Sequence, residues 1–166
     1  MIKLAIDPGL RWCGVALGQG AELVSCALVK NPEMHGRDGM AWAKMAQAVK
    51  AWLDTQPQPQ HIVCETPMQY MPGHHGGKRV DPADILQIQG VVGALAGVLS
   101  MAPFQTIYPY QWKGQLPKDV CFNRIKSRLS VEEMAILEGA PCAKSLQHNI
   151  GDAIGIWLDS VKRFKI

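Results

Sequence analysis

The chain has 166 residues, a net charge of +3, 48% hydrophobic and 19% charged residues. That is one domain's worth of globular composition, large enough to bury roughly 70% of its unfolded surface without a disulfide or metal staple. Five cysteines, odd in number and without a CxxC pair, argue against a disulfide scaffold and for reduced thiols in a cytoplasmic setting. The longest apolar stretch, Val91 to Ala102, is too short and too glycine-rich to span a membrane, and the N-terminus enters a strand directly, with no signal peptide.

Three strand-like runs open the chain: Ile2 to Asp7, Trp12 to Leu17 and Glu22 to Val29. The short turns at Pro8-Gly9 and Gly18-Gln19-Gly20 force them to be antiparallel neighbours. Apolar residues at helical spacing predict a helix from Met40 to Leu53, stopped by Pro57 and Pro59. His61 to Glu65 reads as a short buried strand, and Thr66 to Val80 as a long polar loop. Asp81 and Pro82 open a helix, Ala83 to Ser100, whose small residues predict close packing. Phe104 to Tyr108 reads as a strand and Pro109 to Lys118 as a basic, aromatic loop. Helices follow over Lys118 to Leu129, over Ser130 to Leu137 with capping-box spacing at Ser130 and Glu133, and from about Leu146 to Val161. This order predicts one α/β domain over 1–166, a five-stranded mixed sheet of three antiparallel strands and then parallel crossovers, flanked by helices. The ribonuclease H-like fold has this order of elements.

Three acids fall on rigid elements of that scheme. Asp7 closes the first strand, Glu65 closes the fourth, and Asp152 lies early in an apolar final helix. Asp7 alone fits a turn, and Glu65 alone fits a strand end. Together they form a hard-oxygen ligand set suited to Mg²⁺ or Mn²⁺, two ions per site, with Asp7 the bridging ligand, while no Cys/His spacing suits zinc. Two such ions activate a water and stabilise the leaving oxygen in phosphodiester cleavage. The bland reading of Asp152 is a salt bridge or a helix-dipole interaction. Gly151 and Gly155 on the same helix predict close approach of its backbone to the sheet.

The stretches Ile6-Asp7-Pro8-Gly9 with Gly14, Val63-Cys64-Glu65, Gln111-Trp112-Lys113-Gly114 with Pro117-Lys118, and His148-Asn149-Ile150-Gly151-Asp152-Ala153 resemble the RuvC-type Holliday-junction resolvases, particularly their short phage-like branch. The resemblance runs over nearly the whole chain. It implies a homodimer that binds four-way DNA junctions and nicks two opposing strands symmetrically with Mg²⁺ or Mn²⁺, with no membrane and no small-molecule cofactor involved. It also implies Asp7, Glu65 and Asp152 as metal ligands. The family's fourth site residue, usually Asp or His, falls on Asn149, a neutral and poorer ligand that cannot act as a base. Either His148 serves in its place, or Asn149 replaces an Asp, by nature or by an introduced inactivating change.

The loop after Glu65 offers Tyr70 and Met71 for stacking or wedging between bases, and Lys78 and Arg79 for phosphates. In the resembling family this region probes the junction centre. Lys113 and Lys118 are candidates for the scissile phosphate, and Arg11 for a phosphate beside Asp7. Trp112 reads as half-buried packing, and Gly90, Gly93, Ala94 and Gly97 as either dimer interface or core. Two other classes remain open: a junction-binding protein without catalysis, and an actin-like phosphotransferase, of whose two phosphate-cradling hairpins the sequence offers one.

Overall fold

The computed structural model of the protein describes residues 1–68 and 81–164. Its five strands are β1 (Ile2–Asp7), β2 (Trp12–Gln19), β3 (Glu22–Lys30), β4 (His61–Glu65) and β5 (Phe104–Ile107). They form one sheet in the order β3-β2-β1-β4-β5. The first three are antiparallel; β4 joins β1, and β5 joins β4, in parallel. The helices are α1 (Gly39–Leu53), α2 (Pro82–Val98), α3 (Pro109–Trp112), α4 (Lys118–Lys126), α5 (Val131–Gly139) and α6 (Gln147–Ser160).

Side-chain alternation on the central strands sorts the core into two layers. Leu4 and Ile6 of β1, with Val15 and Leu17 of β2, pack with α1 and α2. Ala5, Ala16 and Val63 face the other way, toward α6. The second face is built from small residues for a reason. A Cβ on Gly14 would lie 1.9 Å from the Asn149 carbonyl oxygen, and one on Gly18 would lie 2.1 Å from the Trp157 indole nitrogen. Gly14, Ala16 and Gly18 therefore form a shallow track along β2 in which α6 lies. The four-residue step from Gly14 to Gly18 spans about 13 Å of strand, and the eight-residue step from Asn149 to Trp157 spans about 12 Å of helix, so the two run side by side. Because Gly14 pairs with Asp7, the same track sets the first turns of α6 at the Asp7 end of β1.

The track makes a prediction of opposite signs. Gly14→Ala drives a methyl into backbone that has no rotamer to yield, so it is expected to cost about 2–3 kcal/mol. Gly93→Ala on α2 meets nothing within 4 Å and is expected to gain up to about 1 kcal/mol from helix propensity. Urea denaturation of the two variants against wild type checks both.

Several sequence expectations shift. The basic, aromatic stretch after β5 is not all loop. Pro109 opens α3, closed by Gln111 accepting from the Tyr108 amide and by Lys113 N–H donating to the Pro109 carbonyl. The helix expected to end at Leu129 ends at Lys126, and a 3₁₀ turn, Lys144–Leu146, precedes α6. Gly151 and Gly155 do not serve approach to the sheet. They admit the rings of Phe122 and Trp112 against α6, and the sheet supplies the close approach through Gly14. On α2, Gly90 receives Trp42, but Gly93 and Gly97 are exposed, so its small residues are not uniformly packed.

Among the described residues no helix is long and apolar enough to cross a membrane. Cys13, Cys26, Cys64 and Cys121 are buried free thiols. Burial pushes the Cys13 and Cys26 thiols up to about 12. One buried acid is purely structural. Glu133 accepts from the amides of Leu23 and Ser130 and pairs with Arg163. Burial opposes its charge, but Arg163 and those amides outweigh it and hold the carboxyl below its ordinary range.

Candidate active site

Three elements end at one place. Asp7 is the last residue of β1, opposite Gly14. On the neighbouring parallel strand Cys64 pairs with Ile6, so Glu65 ends β4 beside Asp7. Asp152 lies in the second turn of α6, whose first turn is seated over Gly14. Neither strand end has freedom to move, because both neighbours are buried core residues: Ile6 and Cys64.

The fourth component comes from α3. A Cβ on Gly155 would lie 2.4 Å from Trp112; without one, the indole packs against α6 and is fully buried. Trp112 Nε1 donates to Glu65 Oε2 at 2.7 Å. The next residue, Lys113, places Nζ 3.3 Å from Glu65 Oε2 and 3.5 Å from Asp152 Oδ2, and 4.7 Å from the Trp112 ring centroid. The side chains of Glu65, Asp152 and Lys113 are 14%, 16% and 22% exposed. They are thus dry enough for strong mutual fields, yet keep some surface open to a ligand.

The charges are unbalanced. Burial, then the Asp152 and Glu65 carboxylates, push the Asp7 carboxyl well above its ordinary range, against the pull of Lys113 and Lys118. Burial likewise raises Glu65, although Lys113 and the Trp112 hydrogen bond work the other way. Lys113 is held above its usual range: burial disfavours its charge, but Glu65, Asp152 and Asp7 outweigh burial. One ammonium therefore serves three carboxylates. The shortfall of positive charge, and donor oxygens carried on three rigid elements, fit a hard divalent cation. Among the described residues no three His, Cys, Asp or Glu side chains are already gathered at ion-binding distance; the ammonium of Lys113 stands between two of the carboxylates.

The remaining expected residues divide. Lys118 is exposed at the start of α4, close enough to act electrostatically on both Asp7 and His148. His148 lies in the first turn of α6; burial and then Lys118 lower its pKa, against Asp152 and the nearby Ser145 backbone. Asn149 is partly buried beside it, with its backbone over Gly14. Arg11 is exposed on the β1–β2 turn. Tyr70, Met71, Lys78 and Arg79 lie outside the described residues. Trp112 was expected as half-buried packing; it is fully buried and also a hydrogen-bond donor to Glu65. No periodicity or spacing signals that contact, which joins residues 47 positions apart.

No family model matches the sequence, and no curated protein matches it. Solved structures match its shape. RuvC of Thermus thermophilus, in complex with a Holliday junction substrate, aligns with a TM-score of 0.64 at 18% identity, over 94% of this chain and 89% of that one. The fowlpox virus Holliday junction resolvase aligns at 0.59 and 12% identity, over 98% of each chain. The yeast mitochondrial resolvase Ydc2 aligns at 0.59 and 12% identity, over 97% of this chain and 80% of that one. The chain has the ribonuclease H-like fold of these proteins. Within that ribonuclease H-like frame, the ends of β1 and β4 and the start of α6 converge on one rim of the sheet, with the carboxylates at the convergence.

Proposed function

We propose that the protein is a structure-selective endonuclease that resolves four-way DNA junctions by metal-dependent phosphodiester hydrolysis, acting as a homodimer built from one nuclease domain per chain. The observation that carries this reading is the cluster of Asp7, Glu65 and Asp152 around Lys113, in the fold shared with junction resolvases of a bacterium, a virus and a mitochondrion. Asp7, Glu65 and Asp152 would hold Mg²⁺ or Mn²⁺. When bound, a pair of such ions supplies Lewis acidity that activates water and stabilises the leaving oxygen. The chain's own residues do the rest. Trp112 fixes the Glu65 carboxylate by donating to one of its oxygens. Lys113, already at the carboxylates, is placed to neutralise a phosphate entering beside them. Lys118 adds positive potential at the same rim. Arg11, with Tyr70, Met71, Lys78 and Arg79 of the segment following Glu65, would hold the flanking DNA. With one carboxylate rim per chain, a homodimer would present two such rims, one for each of two opposing strands.

Asn149 favours a second reading, a junction-binding protein without catalysis. A labelled four-way junction incubated with Mg²⁺, Mn²⁺ or chelator separates the two. Paired symmetric nicks that need the metal support the endonuclease; tight binding without nicks supports the second. Asn149→Asp adds a fourth carboxylate one turn before Asp152. It is expected to raise the nicking rate about tenfold or more, on the order of 1.4 kcal/mol of barrier. Unchanged rates in Mn²⁺ would remove that position from the ligand set and leave His148 as its substitute.

A further inference from the structure

The stretch between β5 and Lys113 exposes aromatic surface that the core does not use and metal binding does not need. Tyr108 and Tyr110 are 40% and 53% exposed, yet they are stacked on each other, with ring centroids 5.8 Å apart and planes within 10°. Stacking stabilises the pair and leaves its outer ring faces in solvent. This pair is fixed by its backbone: Pro109 sits between them, the Tyr108 N–H donates to Gln111 Oε1 at 2.7 Å, and the Gln111 N–H donates to the Tyr108 carbonyl. The same turn ends in Trp112 and Lys113, so the rings are anchored to the elements that hold Glu65. Tyr108 follows Ile107, which pairs with Glu65, and the Ile107 carbonyl accepts from Thr66 N–H. Tyr108 thus follows the strand position paired with Glu65, and Tyr110 precedes Trp112 and Lys113 by two and three residues.

We infer that Tyr108 and Tyr110 form a stacking platform for the base adjoining the scissile phosphate, holding that nucleotide unstacked from its DNA neighbour. This rests on the reading of the site as a phosphodiesterase for branched DNA. The chemistry favours a nucleobase over an apolar protein partner. A two-ring platform offers flat π-faces and phenolic edges that suit a nucleobase, and exposed Lys118 on the adjoining stretch suits its phosphate. With a phosphate at the carboxylates, an adjoining base would meet the platform if the strand runs past α3. At a branch point such a base has already lost part of its stacking, so capture by an aromatic face is cheap there and costly in continuous duplex. The platform would thus add selectivity for branched or locally opened DNA at the cut site itself.

The test uses the full-length protein and four-way junctions carrying a single fluorescent aminopurine at each position flanking the cleaved phosphate, with Ca²⁺ present to allow binding without turnover. Stacking on tyrosine quenches a base that has left its neighbours. Wild type should change the fluorescence at one flanking position, and Tyr110→Trp should keep that change. Tyr108→Leu/Tyr110→Leu should abolish it and weaken junction binding by about tenfold, the scale of losing one aromatic–base stack, with Mn²⁺ affinity unchanged because neither ring contacts the carboxylates. A double variant with wild-type signal and affinity overturns the platform while leaving the nuclease reading intact. So does a double variant whose defect is loss of self-association. Wild type that binds no junction overturns both readings.

Discussion

Asp7→Asn is expected to abolish metal-dependent nicking, by roughly 10³-fold, the scale on which losing one preorganised electrostatic group slows an enzyme, while leaving junction binding largely intact. The carboxylate is lost but the strand end is not, because Asp7 is held by the pairing of β1 with β2 and β4 rather than by its own side chain. The same substitution should raise thermal stability in chelator. Burial and two neighbouring carboxylates raise the Asp7 pKa, so above the ordinary aspartate pKa the unfolded chain gives up this proton more readily than the folded one. Stability is fully present below that pKa and falls as pH rises toward the raised folded value. An amide removes the penalty, so Asp7→Asn should melt above wild type at neutral pH without metal, and the gap should close below about pH 4. Melting curves across pH, beside a nicking assay, check both halves. Retained cleavage would take Asp7 out of the mechanism, and a variant that melts below wild type would contradict the crowding of the carboxylates.

The elements were largely legible in the sequence because their signals are local. Alternation and short glycine turns give β1 to β3, the Asp81-Pro82 start gives α2, and the Ser130–Glu133 box gives α5. The convergence of Asp7, Glu65 and Asp152 was legible too, since the order of elements puts their ends on one rim. What stayed hidden depends on pairs far apart in the chain. Glycine in a helix reads as a cost to be repaid by close packing, but the sequence does not say against what. The reply for Gly155 is an indole from α3, and for α6 as a whole it is a missing side chain on β2. Trp112 and Lys113 read as a packing residue and a phosphate contact. Their engagement of Glu65 follows only from the Gly155 seat, which brings α3 down onto α6. The tyrosine pair was hidden for a different reason: a stretch read as loop has no fixed geometry, and a one-turn helix opened by proline does.

Lys113→Met should have opposite effects on stability and on metal affinity, and this follows from its position rather than from its chemistry on DNA. In the metal-free protein its ammonium is the cation that Glu65 and Asp152 share. Removing it leaves three carboxylates facing one another. Taking one partner from a fully buried pair costs about 3–5 kcal/mol, and because these groups keep some solvent, about 2–4 kcal/mol is expected here, lost chiefly at neutral pH where the carboxylates are ionised. A divalent ion entering the wild-type site must displace that ammonium; entering the variant, it meets no competing cation. Mn²⁺ should therefore bind Lys113→Met more tightly than wild type and should restore most of the lost stability. Cleavage should still fall, because the same ammonium is proposed to neutralise the incoming phosphate. Titration calorimetry with Mn²⁺ alone, and melting with and without it, separate these effects from turnover. Equal Mn²⁺ affinity in the two proteins would mean that Lys113 already leaves the carboxylates in solution. Tighter binding with unchanged cleavage would mean that its place is in the resting site and not on the phosphate.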